Sequence, residues 1–177
     1  QPQCDWLTEK IGFERLIELT ANPALPNFTL TKLLWVREHQ PEIFARITHV
    51  LCPKDYVRYC LTGEFAMDMQ EASGTLLLDV AHRRWSTEVA EAAGIPINWL
   101  PRLFEGPEIC ARINDAGAGA TGLAAGTPVA AGAGDQGAGA VGMGILAPGS
   151  VSATIGTSGV VFAATDADQR AGSVDLI

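Results

Sequence analysis

Apolar residues near the start of the chain recur at the three- and four-residue spacing of amphipathic helices. A first helix is predicted from Asp5, which can cap it, to Asn22-Pro23, which end it. Its apolar positions are Leu7, Ile11, Phe13, Leu16, Ile17 and Leu19. A second helix, predicted from Leu30, Leu33, Leu34 and Val36, should stop near His39 because Pro41 follows.

The middle of the chain mixes strand and helix signals. The segment ITHVLCP (47–53) predicts a short strand, and Pro53 stands at the first position of a helix that Gly63 closes. Another helix is predicted from Trp85 to Ala93, with Gly94 after it. These elements indicate an α/β or α+β body.

The composition changes near residue 116. Between residues 116 and 165 the only charged side chain is Asp135, and thirteen of the nineteen glycines lie between Gly117 and Gly159. The glycines alternate with Ala, Val, Ile, Leu and Met, unlike those of a flexible linker. We therefore expect this stretch to be buried and tightly packed.

The glycine-rich stretch divides into four predicted elements. TPVAAGA (127–133) predicts a strand and DQGAGAVGMG (135–144) a helix. SVSATIG (150–156) and GVVFAAT (159–165) predict two strands of a hairpin, joined by a turn at Thr157-Ser158.

Charge and composition exclude several classes of protein. The formal net charge of −8 argues against nucleic acid or an anionic membrane as a partner, and no apolar run reaches the roughly 18 residues of a membrane span. QPQCDWLTEK lacks the features of a signal peptide, so we expect a soluble, cytoplasmic chain. No metal site is predicted, because the three histidines and four cysteines (Cys4, Cys52, Cys60 and Cys110) match no ligand spacing. The cysteines are expected to be small buried side chains in a reducing compartment.

Asp135 lies where a predicted strand meets a predicted helix, between Gly134 and Gln136. One interpretation is a helix cap, whose carboxylate accepts a backbone N–H two or three residues further on. The other is a catalytic carboxylate, because flanking glycines leave room for another molecule and the helix dipole favours the anion. Such a carboxylate suits phosphoryl transfer, which requires the acceptor hydroxyl to be positioned more than fully deprotonated.

The segment from Gly132 to Gly137 also matches the glycine spacing of a dinucleotide-binding loop. That fingerprint requires an acidic residue some 20 positions further on, whereas the next acid is Asp166, beyond the second hairpin strand. Asp135 inside the loop would also repel a pyrophosphate. A dinucleotide-binding oxidoreductase is therefore kept only as a remote alternative.

The turn Gly156-Thr157-Ser158-Gly159 is either a plain hairpin turn or a phosphate-binding loop. Its glycines expose backbone N–H groups and its two hydroxyls add further donors, which suits a phosphate oxygen. Together with Asp135, the turn would form a cleft for phosphoryl transfer.

Four segments, in this order, resemble the FGGY carbohydrate kinases and within that family the xylulokinase branch. They are PNFTLTKLLWVREHQPEIFARI, LCPKDYVRYCLTGEFAMDMQEASGTLLLD, GTPVAAGAGDQGAGAVGMG and SATIGTSGVVF. The resemblance implies an α/β protein of the actin-like ATPase (ribonuclease H-like) fold, with a sugar in the cleft and MgATP on a second domain. The reaction would be transfer of the γ-phosphoryl of ATP to a ketose hydroxyl, with D-xylulose as the expected acceptor. A homodimer would be ordinary for the family.

The resemblance also implies roles for individual residues. Asp135 takes the place of the family's catalytic base, and Gln136 follows it as a sugar contact. The residues near the ATP phosphates would be Gly156, Thr157, Ser158 and Gly159. A structural role is expected for Ser73-Gly74-Thr75. Two places depart from the branch, Leu30-Thr31 and Met67-Asp68-Met69, which bears on the identity of the sugar.

The family's Asp-x-Gly-Thr and Met-His-Gly motifs do not occur in these residues, and the chain begins with Gln. We therefore expect an internal piece of a kinase: residues 1–145 from the latter part of the sugar-binding domain and 146–177 from the start of the ATP-binding domain. Two alternatives stay open: a kinase of ribulose, gluconate or glycerol, and a chain that is noncatalytic by itself.

Overall fold

The computed structural model describes residues 1–155 and 159–165. These residues form nine α-helices and eight strands. The helices are α1 (Pro2–Ile11), α2 (Phe13–Thr20), α3 (Thr29–His39), α4 (Pro41–Phe44), α5 (Pro53–Thr62), α6 (Met69–Ser73), α7 (Thr87–Ala93), α8 (Asp115–Thr121) and α9 (Asp135–Gly142). A 3₁₀ turn occupies Ile97–Trp99.

The described strands pair two by two. They are β1 (Ala66–Asp68), β2 (Leu78–Asp79), β3 (Arg84–Trp85), β4 (Arg102–Phe104), β5 (Ile109–Arg112), β6 (Pro128–Ala130), β7 (Val151–Ile155) and β8 (Gly159–Ala163). β1 pairs with β4 in parallel, whereas β2 with β3, β5 with β6 and β7 with β8 are antiparallel. Five helices precede the first strand, and helices and strands are mixed after it, as in the predicted α/β or α+β body.

The first predicted helix is two helices, and the single-helix prediction is wrong. Gly12 interrupts it with a φ of 92°, a left-handed conformation that side chains disfavour. The cap prediction is wrong as well, because Asp5 lies inside α1 and Gln1 occupies the N-cap position. Most of the apolar positions on both sides of the break still face the core, where Leu7 and Leu16 are fully buried, whereas Phe13 is exposed.

The strand predicted at 47–53 is also wrong, because residues 47–52 form no strand. The backbone N–H of Val50 donates to the carbonyl of Trp99 at 2.9 Å. This single hydrogen bond does not amount to the repeated backbone pairing of a strand. Pro53 already belongs to α5.

The other helix predictions are confirmed with small changes at their ends. α3 stops at His39, and α5 runs from Pro53 to a left-handed Gly63. α7 begins at Thr87 and not at Trp85, because Ser86 caps it by accepting the N–H of Val89.

Two groups of buried apolar side chains form the core. The larger lies among α1, α2, α3 and α7 and consists of Leu7, Leu16, Leu19, Leu30, Leu34, Leu76, Leu77, Val89, Ala90, Ala93 and Ile95. The smaller consists of Cys52, Met67, Ala72 and Leu78. This second group packs beneath β1 and α6, the elements that approach the glycine-rich stretch.

The expected burial of residues 116–165 is wrong for most of the described part. Ala140 is buried, but Val141, Met143, Leu146, Val151, Ile155 and Val161 are exposed, with Ile155 at 90%. The predicted elements themselves are present, namely β6, α9 and the pairing of β7 with β8.

The burial expected for the cysteines holds for Cys4 and Cys52, while Cys60 is exposed and Cys110 is half-buried. All four are free thiols. No helix among the described residues combines the length and apolar character that a membrane crossing requires.

Candidate active site

Asp135 is the first residue of α9, and its side chain is exposed to solvent. Its Oδ1 accepts the backbone N–H of Gln136 at 2.8 Å. Gly134 occupies the N-cap position, so the interpretation of Asp135 as the helix cap is wrong. The carboxylate makes no further hydrogen bond within the part of the chain that the structure describes, which leaves lone pairs free for a hydroxyl donor.

Gln136 follows Asp135 on the first turn of α9 and is also exposed. Both predicted sugar contacts therefore face solvent at the same helix end. Of the predicted phosphate loop, Gly156, Thr157 and Ser158 lie outside the described residues. Gly159 is described as the first residue of β8, paired with Ile155.

The strand that precedes the segment from Gly132 to Gly137 does not have the pairing found in a dinucleotide-binding fold. That fingerprint belongs to a parallel strand–helix–strand unit, whereas β6 pairs antiparallel with β5. The segment from Gly132 to Gly137 therefore does not follow a strand paired in parallel. Its glycine spacing does not indicate a dinucleotide-binding oxidoreductase.

Four charged side chains form what we call the charge cluster: Lys54, Asp55, Arg58 and Asp68. They lie next to residues 131–134, the segment between β6 and α9 that we call the Asp135 loop. Lys54 Nζ lies 2.7 Å from both Asp55 Oδ1 and Asp68 Oδ2, and Arg58 Nη2 lies 2.7 Å from Asp55 Oδ1. Asp55 and Asp68 are fully buried, and Arg58 is nearly so. The two positive and two negative charges balance, as burial of charge requires.

The charge cluster is tied to the loop that leads to Asp135. Arg58 Nη1 donates to the carbonyl of Ala131 at 2.6 Å, and Lys54 Nζ lies 3.5 Å from the same oxygen. Asp68 also caps α6, since its Oδ1 accepts the N–H of Glu71 at 2.9 Å. One set of charges therefore joins α5, the end of β1, α6 and the Asp135 loop.

Hydrogen bonding within the charge cluster keeps Lys54 protonated. Burial lowers the pKa of Lys54, but its bonds to Asp55 and Asp68 outweigh burial and raise that pKa overall. Arg58 Nη2 also donates to the carbonyl of Ala66 in β1. Asp55 Oδ2 and Arg58 Nε are buried and have no hydrogen-bond partner among residues 1–155 and 159–165.

Sequence reasoning missed the charge cluster. Lys54, Asp55 and Arg58 share one helix turn, and Asp68 is an acid within the apolar strand β1. An acid in a buried strand is unusual enough to have signalled a buried partner. The choice of that partner depends on tertiary contacts between residues 14 positions apart and more.

A cavity of about 440 Å³ lies between α2, β2, β3 and α7, away from this site in the sequence. The charged side chains that line it pair with one another: Arg15 with Glu88, and His82 with Asp79. His82 is thus paired with a carboxylate, and the sequence pattern around Asp135 remains the reason for placing the candidate site at the start of α9.

Comparison with known proteins identifies the class of protein. The sequence model described as the FGGY family of carbohydrate kinases, N-terminal domain, matches residues 1–142. This chain therefore belongs to the FGGY family of carbohydrate kinases.

Several similar proteins within that family are xylulose kinases. The chain is 45% identical over 164 residues to the xylulose kinase of Escherichia coli. This alignment covers 93% of this chain and 33% of the relative. It is 40% identical over 169 residues to that of Bacillus subtilis, covering 96% of this chain and 34% of the relative. The chain thus spans about a third of the length of the curated relatives it matches.

Solved structures give the fold. A structure described as a xyloylose kinase from Brucella ovis matches with a TM-score of 0.87 and 41% identity, covering 96% of this chain and 35% of that one. The xylulose kinase of Rhodospirillum rubrum matches with a TM-score of 0.91 and 27% identity, covering 97% and 35%. The predicted α/β fold of the actin-like sugar kinases is confirmed.

Proposed function

We propose that this chain is part of an ATP-dependent kinase that phosphorylates D-xylulose. The similarity to xylulose kinases over more than nine-tenths of the chain supports the sugar. The single observation that carries the chemistry is the exposed carboxylate of Asp135 at the start of α9, held by one backbone N–H and open on its other side.

In the proposed reaction Asp135 is the base for the sugar hydroxyl. The hydroxyl oxygen forms a bond to the γ-phosphorus, the bond from that phosphorus to the bridging oxygen of ADP breaks, and the hydroxyl proton passes to the Asp135 carboxylate. The products are the sugar phosphate and ADP. Gln136, exposed beside Asp135, would hold another hydroxyl of the sugar and so orient the reacting one.

ATP and Mg²⁺ belong to this proposal as second substrate and cofactor. The described residues contain no group of three or more His, Cys, Asp or Glu able to hold a metal ion, and no residue of this chain is proposed as a magnesium ligand. The proposed phosphate contacts are the backbone N–H groups and hydroxyls of Gly156, Thr157, Ser158 and Gly159. No step is therefore assigned to the metal.

The proposed domain division places residues 1–145 in the sugar-binding domain and 146–177 in the ATP-binding domain. The family match to residues 1–142 supports this boundary. We further propose that the kinase is cytoplasmic and forms a homodimer, and that these 177 residues are inactive by themselves.

The test is ADP release by the full-length protein containing this chain, with ATP and D-xylulose. Asp135→Asn is expected to lower kcat by roughly 10²-fold or more with little change in the KM for xylulose, since it removes the base but keeps the shape. Asp115→Asn is the matched control, because Asp115 is the exposed first residue of the glycine-rich helix α8.

Three results would each contradict one part of the proposal. Absence of xylulose phosphorylation by the full-length protein, with ribulose, gluconate or glycerol phosphorylated instead, would reject the sugar. Equal kcat values for Asp135→Asn and Asp115→Asn would reject the base. Turnover by the 177 residues alone would reject their proposed inactivity.

A further inference from the structure

Gln70 in α6 makes a side-chain contact with the loop before Asp135. Its Oε1 accepts the backbone N–H of Gly134 at 2.6 Å across 64 residues of sequence. Gln70 is exposed and is not part of the charge cluster. Gly134 is the N-cap of α9 and directly precedes Asp135.

The Gln70 side chain packs closely against two glycines of the loop and helix. An ideal Cβ at Gly134 would lie 2.7 Å from Gln70 Oε1, and one at Gly137 would lie 2.9 Å from Gln70 Cγ. Gly134 has a φ of −63°, which any residue can adopt. A side chain at either position would therefore have to displace Gln70 from its contact.

The hydrogen bond also satisfies a specific need. The first N–H groups of a helix have no partner inside the helix, and glycine at the N-cap offers no side chain to accept one. Gln70 supplies an acceptor at this end of α9 from another element. A fixed backbone at the N-cap residue Gly134 also fixes the orientation of the next residue, Asp135.

We propose that Gln70 is a positioning residue for Asp135, holding the start of α9 so that the carboxylate meets the sugar hydroxyl in one orientation. This inference rests on the function proposed above. It assigns no chemical step to Gln70, which acts through Gly134. A displaced base lowers turnover because proton transfer depends strongly on geometry.

The first test compares two variants of Gln70 in the full-length protein. Gln70→Met keeps the length of the side chain and removes the acceptor, and it is expected to lower kcat roughly fivefold to tenfold, the ratio that loss of one hydrogen bond would give. The KM for xylulose should change by less than about twofold, because the proposed role of Gln70 is exerted through Gly134 and not on the sugar. Gln70→Glu keeps an acceptor oxygen and should restore most of the lost kcat.

The matched control is Gln3→Met, since Gln3 is a half-buried glutamine far from α9 in sequence whose amide donates a hydrogen bond to Glu38 Oε2 at 2.7 Å. It should leave kcat unchanged. The inference would be overturned if Gln70→Met had the same kcat as the active wild type. It would also be overturned if Gln70→Glu lost as much kcat as Gln70→Met.

The second test needs no activity. Hydrogen exchange at the Gly134 amide should speed up several-fold in Gln70→Met and stay near the wild-type rate in Gln70→Glu and Gln3→Met. An unchanged Gly134 rate in Gln70→Met would refute the positioning role. If wild type does not phosphorylate xylulose while Gly134 exchange responds as expected, the proposed substrate fails and the contact stands.

Discussion

Arg58 holds the carbonyl of Ala131 through Nη1 at 2.6 Å, across 73 residues of sequence. This bond joins the middle of α5 to the loop that leads into α9. The guanidinium also pairs with Asp55, so the loop is attached to a buried ion pair and not to a solvent-exposed side chain.

Replacing Arg58 should therefore cost far more than replacing an exposed arginine. Arg58→Met leaves the Asp55 carboxylate buried with Lys54 as its remaining cation and removes the donor from Ala131, so we expect a loss of about 3 kcal/mol in the free energy of unfolding. The control is Arg15→Met, whose partners Glu18 and Glu88 are exposed, with an expected loss of at most about 1 kcal/mol. Urea unfolding of both variants measures the difference, and equal losses would contradict it.

Two glycines of α8 should respond oppositely to alanine. A Cβ at Gly117 would lie 2.2 Å from the carbonyl oxygen of Leu61, so Gly117→Ala must separate α8 from α5 and should cost about 2 kcal/mol. Gly119 has nothing within 4 Å of such a Cβ, and Gly119→Ala should stabilise the protein by about 0.5 kcal/mol through helix propensity. Thermal unfolding of the pair measures both signs, and destabilisation by Gly119→Ala would count against this packing.

The thiols should differ in reactivity. Burial raises the pKa of Cys52 to about 11, with the nearby Glu71 carboxylate adding to the effect. Little thiolate therefore exists at Cys52 near pH 8, whereas Cys60 is exposed. Brief treatment of the folded protein with iodoacetamide at pH 8, read by peptide mass spectrometry, should label Cys60 first. Labelling of Cys52 at the same rate would show that its burial is wrong, and labelling in denaturant is the control.

Stability should depend on pH through Asp79. Burial alone would raise the pKa of Asp79, but hydrogen bonds from the His82 side chain and backbone, together with the charges of His82 and Arg84, lower it overall. A carboxyl with a lowered pKa in the folded state contributes stability above its unfolded pKa of about 3.9 and loses it as pH falls through the folded value.

Asp79→Asn should accordingly be less stable than wild type near neutral pH, and the difference should shrink as pH falls below about 4. Unfolding midpoints measured between pH 7 and pH 3 give the comparison. A difference that stays constant over this range would contradict the role of the ionised carboxyl.

Local signals predicted several elements correctly for identifiable reasons. Pro53 and Gly63 bracket α5 because a missing N–H is harmless at a helix start and a left-handed residue ends it. The break at Gly12 was invisible because apolar spacing continues through it, from Ile11 to Phe13. Periodicity reports which face is buried and not whether the axis bends.

Non-local pairing accounts for the other errors. Residues 47–52 pair with no strand in the described part of the chain, and strand character depends on a partner that the sequence does not identify. Apolar composition likewise predicted burial for residues 116–165 without specifying what would cover them.

The candidate site was predictable only in part. Asp135 was conspicuous as a lone acid among glycines, and the structure places its carboxylate at an exposed helix start. Its attachments could not be foreseen, because Arg58 and Gln70 reach the loop through contacts more than 60 positions apart in sequence.

The hairpin of β7 and β8 has a consequence for the behaviour of this polypeptide in solution. Among the described residues each of these strands pairs only with the other, so the outer edge of each presents unpaired amide and carbonyl groups beside exposed apolar side chains such as Ile155 and Val161. Open edges of this kind accept additional strands with little rearrangement of the backbone. The ribbon is thus a template on which a wider sheet can grow, and high concentrations of the isolated polypeptide should favour self-association there.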